Sequence, residues 1–253
     1  MLLNSFAFIF GAVVGSFLNV CIFRLPVHES IIKPLSRCPH CHHPIRFFDN
    51  IPLISFIILK GKCRDCGAKI SWRYPLVELI TAVLSLLLFL QFGLTLRFLI
   101  FFVFTSVLIV IAFIDLDHRI IPDILTLPGI PIFFLLAVFI VKVPWLEALI
   151  GLAVGGGILF AIAFGYELIS KREGMGGGDI KLLAMIGGFL GWKSLLFVLL
   201  VSSFFGALVG ITAMIIKKQD MKYAVPFGPF LSAAAVAYFF WGDVFIRLLF
   251  MRY

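Results

Sequence analysis

Long runs without a single Lys, Arg, Asp or Glu leave this chain few ways to fold. They occur at Leu2 to Phe23, Leu79 to Leu96, Phe98 to Ile114, Ile124 to Val141, Ala148 to Tyr166, Ser194 to Ile216 and Ala224 to Gly242. Most can cross the hydrocarbon core of a bilayer, which takes about 20 helical residues. A soluble domain averages about 45 to 50% apolar and 25% charged residues. This chain has 62% and 13%, so it reads as an all-α polytopic membrane protein.

Leu182 to Trp192 is a further apolar stretch, too short to span even with Asp179 to Lys181 added. The expectation is therefore about eight transmembrane helices, one of them short enough to be re-entrant. Met1 to Ser5 carry no basic residue, and no small-residue cleavage site follows the first run, so that run reads as a retained span rather than a secretory signal. With the N-terminus outside, 16 of the 21 Lys and Arg fall in inner segments, whether seven or eight spans are counted. The loops holding Asp115, Asp179 and the loop cysteines then face the cytoplasm. The net charge of +8 is this orientation signal plus attraction to anionic membrane lipid, and nucleic acid need not be invoked.

One long polar segment, 24–74, separates the first span (1–23) from a helical bundle (75–253). It contains "CPHC" at Cys38 to Cys41 and "CRDC" at Cys63 to Cys66. Two CxxC pairs at this separation suit two knuckles converging on one tetrahedral Zn2+. A cytoplasmic loop is kept reduced, which disfavours disulfides, and neither pair lies in the βαβ setting of a thioredoxin-like motif. His40, His42 and His43 are alternative ligands that four thiolates make unnecessary. The site reads as structural, a staple for a loop too small to build its own core, while Cys21 reads as a small apolar residue within the first span.

Acids at membrane depth are functional candidates. Asp115 closes an apolar run and opens "DLDHRIIPD", and Asp179 follows Gly176, Gly177 and Gly178. Two adjacent carboxyls cannot both ionise, and such a pair can activate a water against a peptide carbonyl. Asp179 is placed to cap the helix it precedes and to be kept ionised by its dipole. Asp115, at a helix C-terminus among apolar neighbours, is expected to be the protonated member. The glycines are expected to supply positive φ and room for a substrate backbone. Asp117 falls on another helix face from Asp115, and Asp123 reads as an N-cap. "GLAVGGG" at Gly151 to Gly157 reads as close helix packing.

"GSFLNVCIFRLP" (Gly15 to Pro26), "SRCPHCHHPI" (Ser36 to Ile45), "DNIPLISF" (Asp49 to Phe56), "KGKCRDCGAKISWRYPLVE" (Lys60 to Glu78), "DLDHRIIPD" (Asp115 to Asp123) and "GMGGGDIKLLAMIG" (Gly174 to Gly187) occur in this order. Together they resemble the bacterial prepilin leader peptidases, membrane aspartic proteases of the GxGD type. The resemblance implies that Asp115 and Asp179 are the catalytic aspartates, with the peptidase core at about 98–216. It also implies that the substrates are type IV prepilins and pilin-like pseudopilins, cut on the cytoplasmic face of the inner membrane after a short basic leader. Members with the cysteine loop are commonly also N-methyltransferases using S-adenosylmethionine. No G-x-G-x-x-G lies between a strand and a helix, so the residues of a cofactor site are not named by the sequence. A transporter or a zinc-knuckle membrane adaptor with incidental aspartates is the alternative. Mid-span acids or internal repeats would favour the transporter, and neither is evident.

Overall fold

The computed structural model describes residues 2–33, 35–170, 176–217 and 226–250. The basic residues at Lys171, Arg172, Lys218, Lys222 and Arg252, and the motif positions Gly174 and Met175, lie outside them. The chain forms two compact units, residues 1–110 and 111–253. Among the described residues there is no strand, only two isolated β-bridges.

The first unit comprises α1 (Leu2–Arg24), a loop with short 3-10 turns, α2 (Ile54–Ile58), α3 (Arg73–Phe92) and the beginning of α4 (Leu96–His118). α1 and α3 meet through small residues. A Cβ on Gly11 would lie 2.5 Å from Ser85 Cβ, and one on Gly15 would lie 2.8 Å from Glu78 Cα. Polar side chains then bond across the close approach: Ser85 Oγ donates to the Ala7 carbonyl at 2.7 Å and Asn19 Nδ2 to that of Tyr74 at 3.0 Å. Small-residue contact and interhelical hydrogen bonds hold helices together where lipid supplies no hydrophobic drive.

The second unit comprises the end of α4, then α5 (Asp123–Leu136), α6 (Trp145–Ser170), α7 (Gly177–Leu190), α8 (Trp192–Lys217) and α9 (Gly228–Phe250). α5 carries Pro128 and Pro131, whose missing N–H groups remove the helical bonds to the Ile124 and Leu127 carbonyls, and it ends in a π-helical turn, Ala137–Val141. α7 is the core of this unit. Every residue from Leu182 to Phe189 is buried, and a helix apolar all round needs neighbours on every side. Its 14 residues reach about 21 Å, short of a bilayer core.

Among the described residues, six helices are long and apolar enough to cross a membrane: α1, α3, α4, α5 with its π turn, α6 and α8. α7 and α9 are the other long helices among the described residues, and α7 is short, as anticipated from the sequence. "GLAVGGG" is a packing element, as expected. On α6, Gly151 lies against the Gly187 backbone of α7, and a Cβ on Gly155 would lie 2.6 Å from the Leu183 carbonyl oxygen. From the other side, Gly129 of α5 faces Met185 and Phe133 meets Phe189 with ring centroids 5.6 Å apart.

Candidate active site

Asp115 is buried in the last turn of α4. The next helix begins after Ile120, Ile121 and Pro122, a reversal helped by positive φ at Arg119. Asp179 is the third residue of α7. Its carboxyl is pushed up to about 7, first by burial and second by the charge of Asp115. The two carboxyls are thus near enough to interact. Asp179 Oδ1 is buried with no hydrogen-bond partner among the described residues. Asp115 Oδ2 instead accepts the Gly228 N–H at 2.9 Å.

Two expectations about Asp179 need correction. The N-cap of α7 is Gly176 and no side chain caps the helix, so Asp179 sits inside the first turn. Nor does the dipole keep it ionised, because desolvation of a buried carboxyl outweighs the partial charge of a helix end. Asp179 therefore holds a proton up to about neutral pH.

The backbone of the glycines also differs from expectation. None of Gly176, Gly177 and Gly178 has positive φ. A Cβ on Gly178 would lie 2.7 Å from Ile121 Cβ, whereas nothing lies within 4 Å of one on Gly177. Gly178 is required by packing against Ile121, and Gly177 faces open space. The far end of Ile121 reaches toward Gly228, where a Cβ would lie 3.2 Å from Ile121 Cδ1. Asp123 begins α5 after Pro122 as N-cap, so it is not the cap. It accepts an ion pair from Lys181 Nζ at 2.6 Å, tying α5 to α7. Asp117 is exposed, on a different face from Asp115.

In the first unit Cys38, Cys41, Cys63 and Cys66 come together, with all four Sγ atoms within 4.8 Å of one another. Zinc to sulfur bonds of about 2.3 Å in a tetrahedron require sulfurs about 3.8 Å apart, and Cys38 and Cys66 are separated by 3.8 Å. The donor set fits such an ion. His40, His42 and His43 are exposed and not in the cluster. The two knuckles share one backbone plan. Cys38 N–H donates to His43 O and Cys63 N–H to Ala68 O, and the residue after each second cysteine, His42 or Gly67, has positive φ. Asp49 clamps Arg64 of the second knuckle through both carboxylate oxygens, at 2.6 to 3.1 Å.

The remaining motifs also converge. Glu78 Oε2 accepts the Leu53 N–H at 2.8 Å, joining "DNIPLISF" to α3. Beside this junction lies a cavity of about 520 Å³ bordered by Ser16, Phe17, Arg24, Ser36, Asn50 and Pro52.

Residues 9–92 match the bacterial peptidase A24 N-terminal domain, and residues 102–211 match the type IV leader peptidase family. A prepilin leader peptidase/N-methyltransferase of Aeromonas salmonicida is 40% identical, over 96% of this chain and 92% of its own length. The chain belongs to the type IV leader peptidase family. Proteins carrying the same description are 36% identical in Pseudomonas aeruginosa (94% of this chain, 90% of the relative) and 44% identical in Myxococcus xanthus (83% and 63%). No solved structure matches the chain.

Both aspartates of this family member fall within 102–211, and the four cysteines and the cavity within 9–92. Sequence reasoning missed Gly228 and Ile121. Gly228 lies beyond the matched residues, in "PFGP", and one glycine between prolines reads as a turn until its N–H is seen on Asp115. Ile121 reads as an ordinary apolar residue of the "IIP" turn, because only the structure puts Gly178 against it.

Proposed function

We propose that this protein removes the leader peptide from type IV prepilins and pilin-like proteins by water activated between Asp115 and Asp179. The observation that carries this reading is the asymmetric carboxyl pair. Asp115 is anchored by a backbone N–H, while Asp179 is half-buried with its Oδ1 enclosed and unpartnered among the described residues, raised to about 7 and influenced by Asp115. Asp115 takes a proton from the water as its oxygen attacks the scissile carbonyl, and Asp179 gives its proton to the carbonyl oxygen. Collapse of the tetrahedral species breaks the C–N bond. The leaving amine then takes the proton from Asp115, and Asp179 regains one from the second hydroxyl as the new carboxyl forms.

The first unit carries the second activity in this reading, N-methylation of the amine that cleavage exposes. S-adenosylmethionine supplies an electrophilic methyl group to that amine. The cavity has a volume usual for cofactor sites. Phe17 offers a face for the adenine, Arg24 a cation for the carboxylate, and Ser36 and Asn50 hydrogen-bonding groups. Zn2+ at the four cysteines holds the loop folded, and the positive-inside count supports a cytoplasmic position for both sites.

The test is leader release from a prepilin by the purified protein in detergent. Asp115→Asn and Asp179→Asn should each abolish cleavage while leaving metal content and methylation of a pre-cleaved pilin intact. Cleavage at the wild-type rate by either variant refutes the dyad.

A further inference from the structure

We infer that Gly228, which opens α9, is a positioning residue of the aspartate pair, and that its N–H and its missing side chain are both needed to hold Asp115 in its working rotamer. The inference rests on the peptidase reading above. The Gly228 N–H donates to Asp115 Oδ2 at 2.9 Å across 113 residues of sequence, in a buried setting. As the first residue of α9, Gly228 has no helical acceptor for that N–H. Asp115 is thus the partner that satisfies it. The bond occupies one carboxylate oxygen and so fixes which one is left to face Asp179 and a water.

The same position excludes a side chain. A Cβ on Gly228 would lie 2.7 Å from Asp115 Oδ2 and 3.3 Å from its Cγ. The contact with Ile121 Cδ1, 3.2 Å, is the end of a flexible chain that can move aside. The carboxylate can escape only by rotating away from its donor. "PFGP" also suits this task because Pro226 and Pro229 have no N–H. The segment 226–229 carries only two amides, those of Phe227 and Gly228.

Gly228→Ala is expected to lower kcat for leader cleavage about 100-fold, the scale of an ångström-size misplacement in an active site, with KM within twofold. A peptide bearing a hydroxyl in place of the scissile carbonyl, which mimics the tetrahedral species, should lose affinity in step with kcat. An uncleavable prepilin should bind within twofold. Metal content and methylation of pre-cleaved pilin, read on the same sample, should be unchanged. Gly206→Ala is the control, since its Cβ would make ordinary contacts at 3.6 Å or more with Phe230 and Phe227, and it should cleave normally.

Adding Ile121→Val to Gly228→Ala should restore nothing, because the conflict with Asp115 remains. Rescue by this second change, or near-normal cleavage by Gly228→Ala, overturns the inference. So does equal loss of affinity for the hydroxyl peptide and the uncleavable prepilin. Hydrogen exchange in the peptide covering 226–229 tests the bond without altering Gly228. Wild type should show one protected amide that becomes fast in Asp115→Ala, and unchanged exchange would refute the bond. If the wild type fails to cleave prepilin while the amide is protected by Asp115, it is the peptidase reading that fails and not the Gly228 contact.

Discussion

Gly178→Ala compared with Gly177→Ala tests why the chain needs glycine immediately before Asp179. A Cβ at position 178 would lie 2.7 Å from Ile121 Cβ and 3.4 and 3.5 Å from its Cγ1 and Cδ1. The nearest atom is on a branch point next to the backbone, so a rotamer change cannot relieve the contact. Restoring even a tight separation of 3.4 Å requires a shift of roughly 0.7 Å, with an overpacking cost of about 1 to 3 kcal/mol. The shift falls on the residue bonded to Asp179, where displacement on this scale costs about 100-fold in rate. At position 177 nothing lies within 4 Å, and alanine favours the first turn of α7 by up to about 1 kcal/mol. Leader cleavage measured at saturating prepilin should therefore fall about 100-fold in Gly178→Ala and stay within twofold in Gly177→Ala. Equal activity in the two variants, or greater loss at 177, would refute the packing account and return the glycines to the role of substrate contacts.

The wild type should contain about one zinc per chain by elemental analysis, and Cys38→Ser should lose it and make 24–74 susceptible to protease, as expected if the loop depends on its ion for its fold. A wild type containing a Cys38 to Cys66 disulfide and no zinc refutes the staple. For pH, the folded value of Asp179 is about 7 against about 3.9 unfolded. The native state binds this proton more tightly, so this contribution to stability falls as pH rises from about 4 to about 7. Cleavage that uses the proton of Asp179 should fall along an alkaline limb near pH 7, and a flat kcat profile from pH 6 to 9 contradicts the assignment. Val20→Trp, a change that fills the cavity from α1, should weaken S-adenosylmethionine binding at least tenfold by calorimetry, with cleavage intact. Undiminished binding would move the cofactor elsewhere.

Much of this was legible in the sequence because the signals were local. Apolar runs, bounded by charges, mark the helices, and the CxxC spacing marks a four-thiol cluster whose geometry follows from tetrahedral coordination. The pairing of Asp115 with Asp179 was a chemical argument joined to an ordered set of family motifs. Contacts between distant residues were not legible. Gly228 acts on Asp115 through its backbone, which any residue type possesses, and Ile121 matters through a Cβ that only the fold brings to Gly178. The state of Asp179 differs from its sequence reading for a related reason. A helix dipole can be inferred from position in the chain, but burial depends on what packs around the carboxyl, and burial dominates at Asp179.

The shortness of α7 separates Asp179 from the thickness of the bilayer. A spanning helix answers to that thickness by tilting, since its two ends are tied to two interfaces. α7 is too short for this and is held instead by backbone contact with α6 at Gly151 and Gly155 and by Met185 and Phe189 against α5. Its depth is set by neighbouring helices, so membranes of different acyl-chain length should leave the height of Asp179 within this unit unaltered.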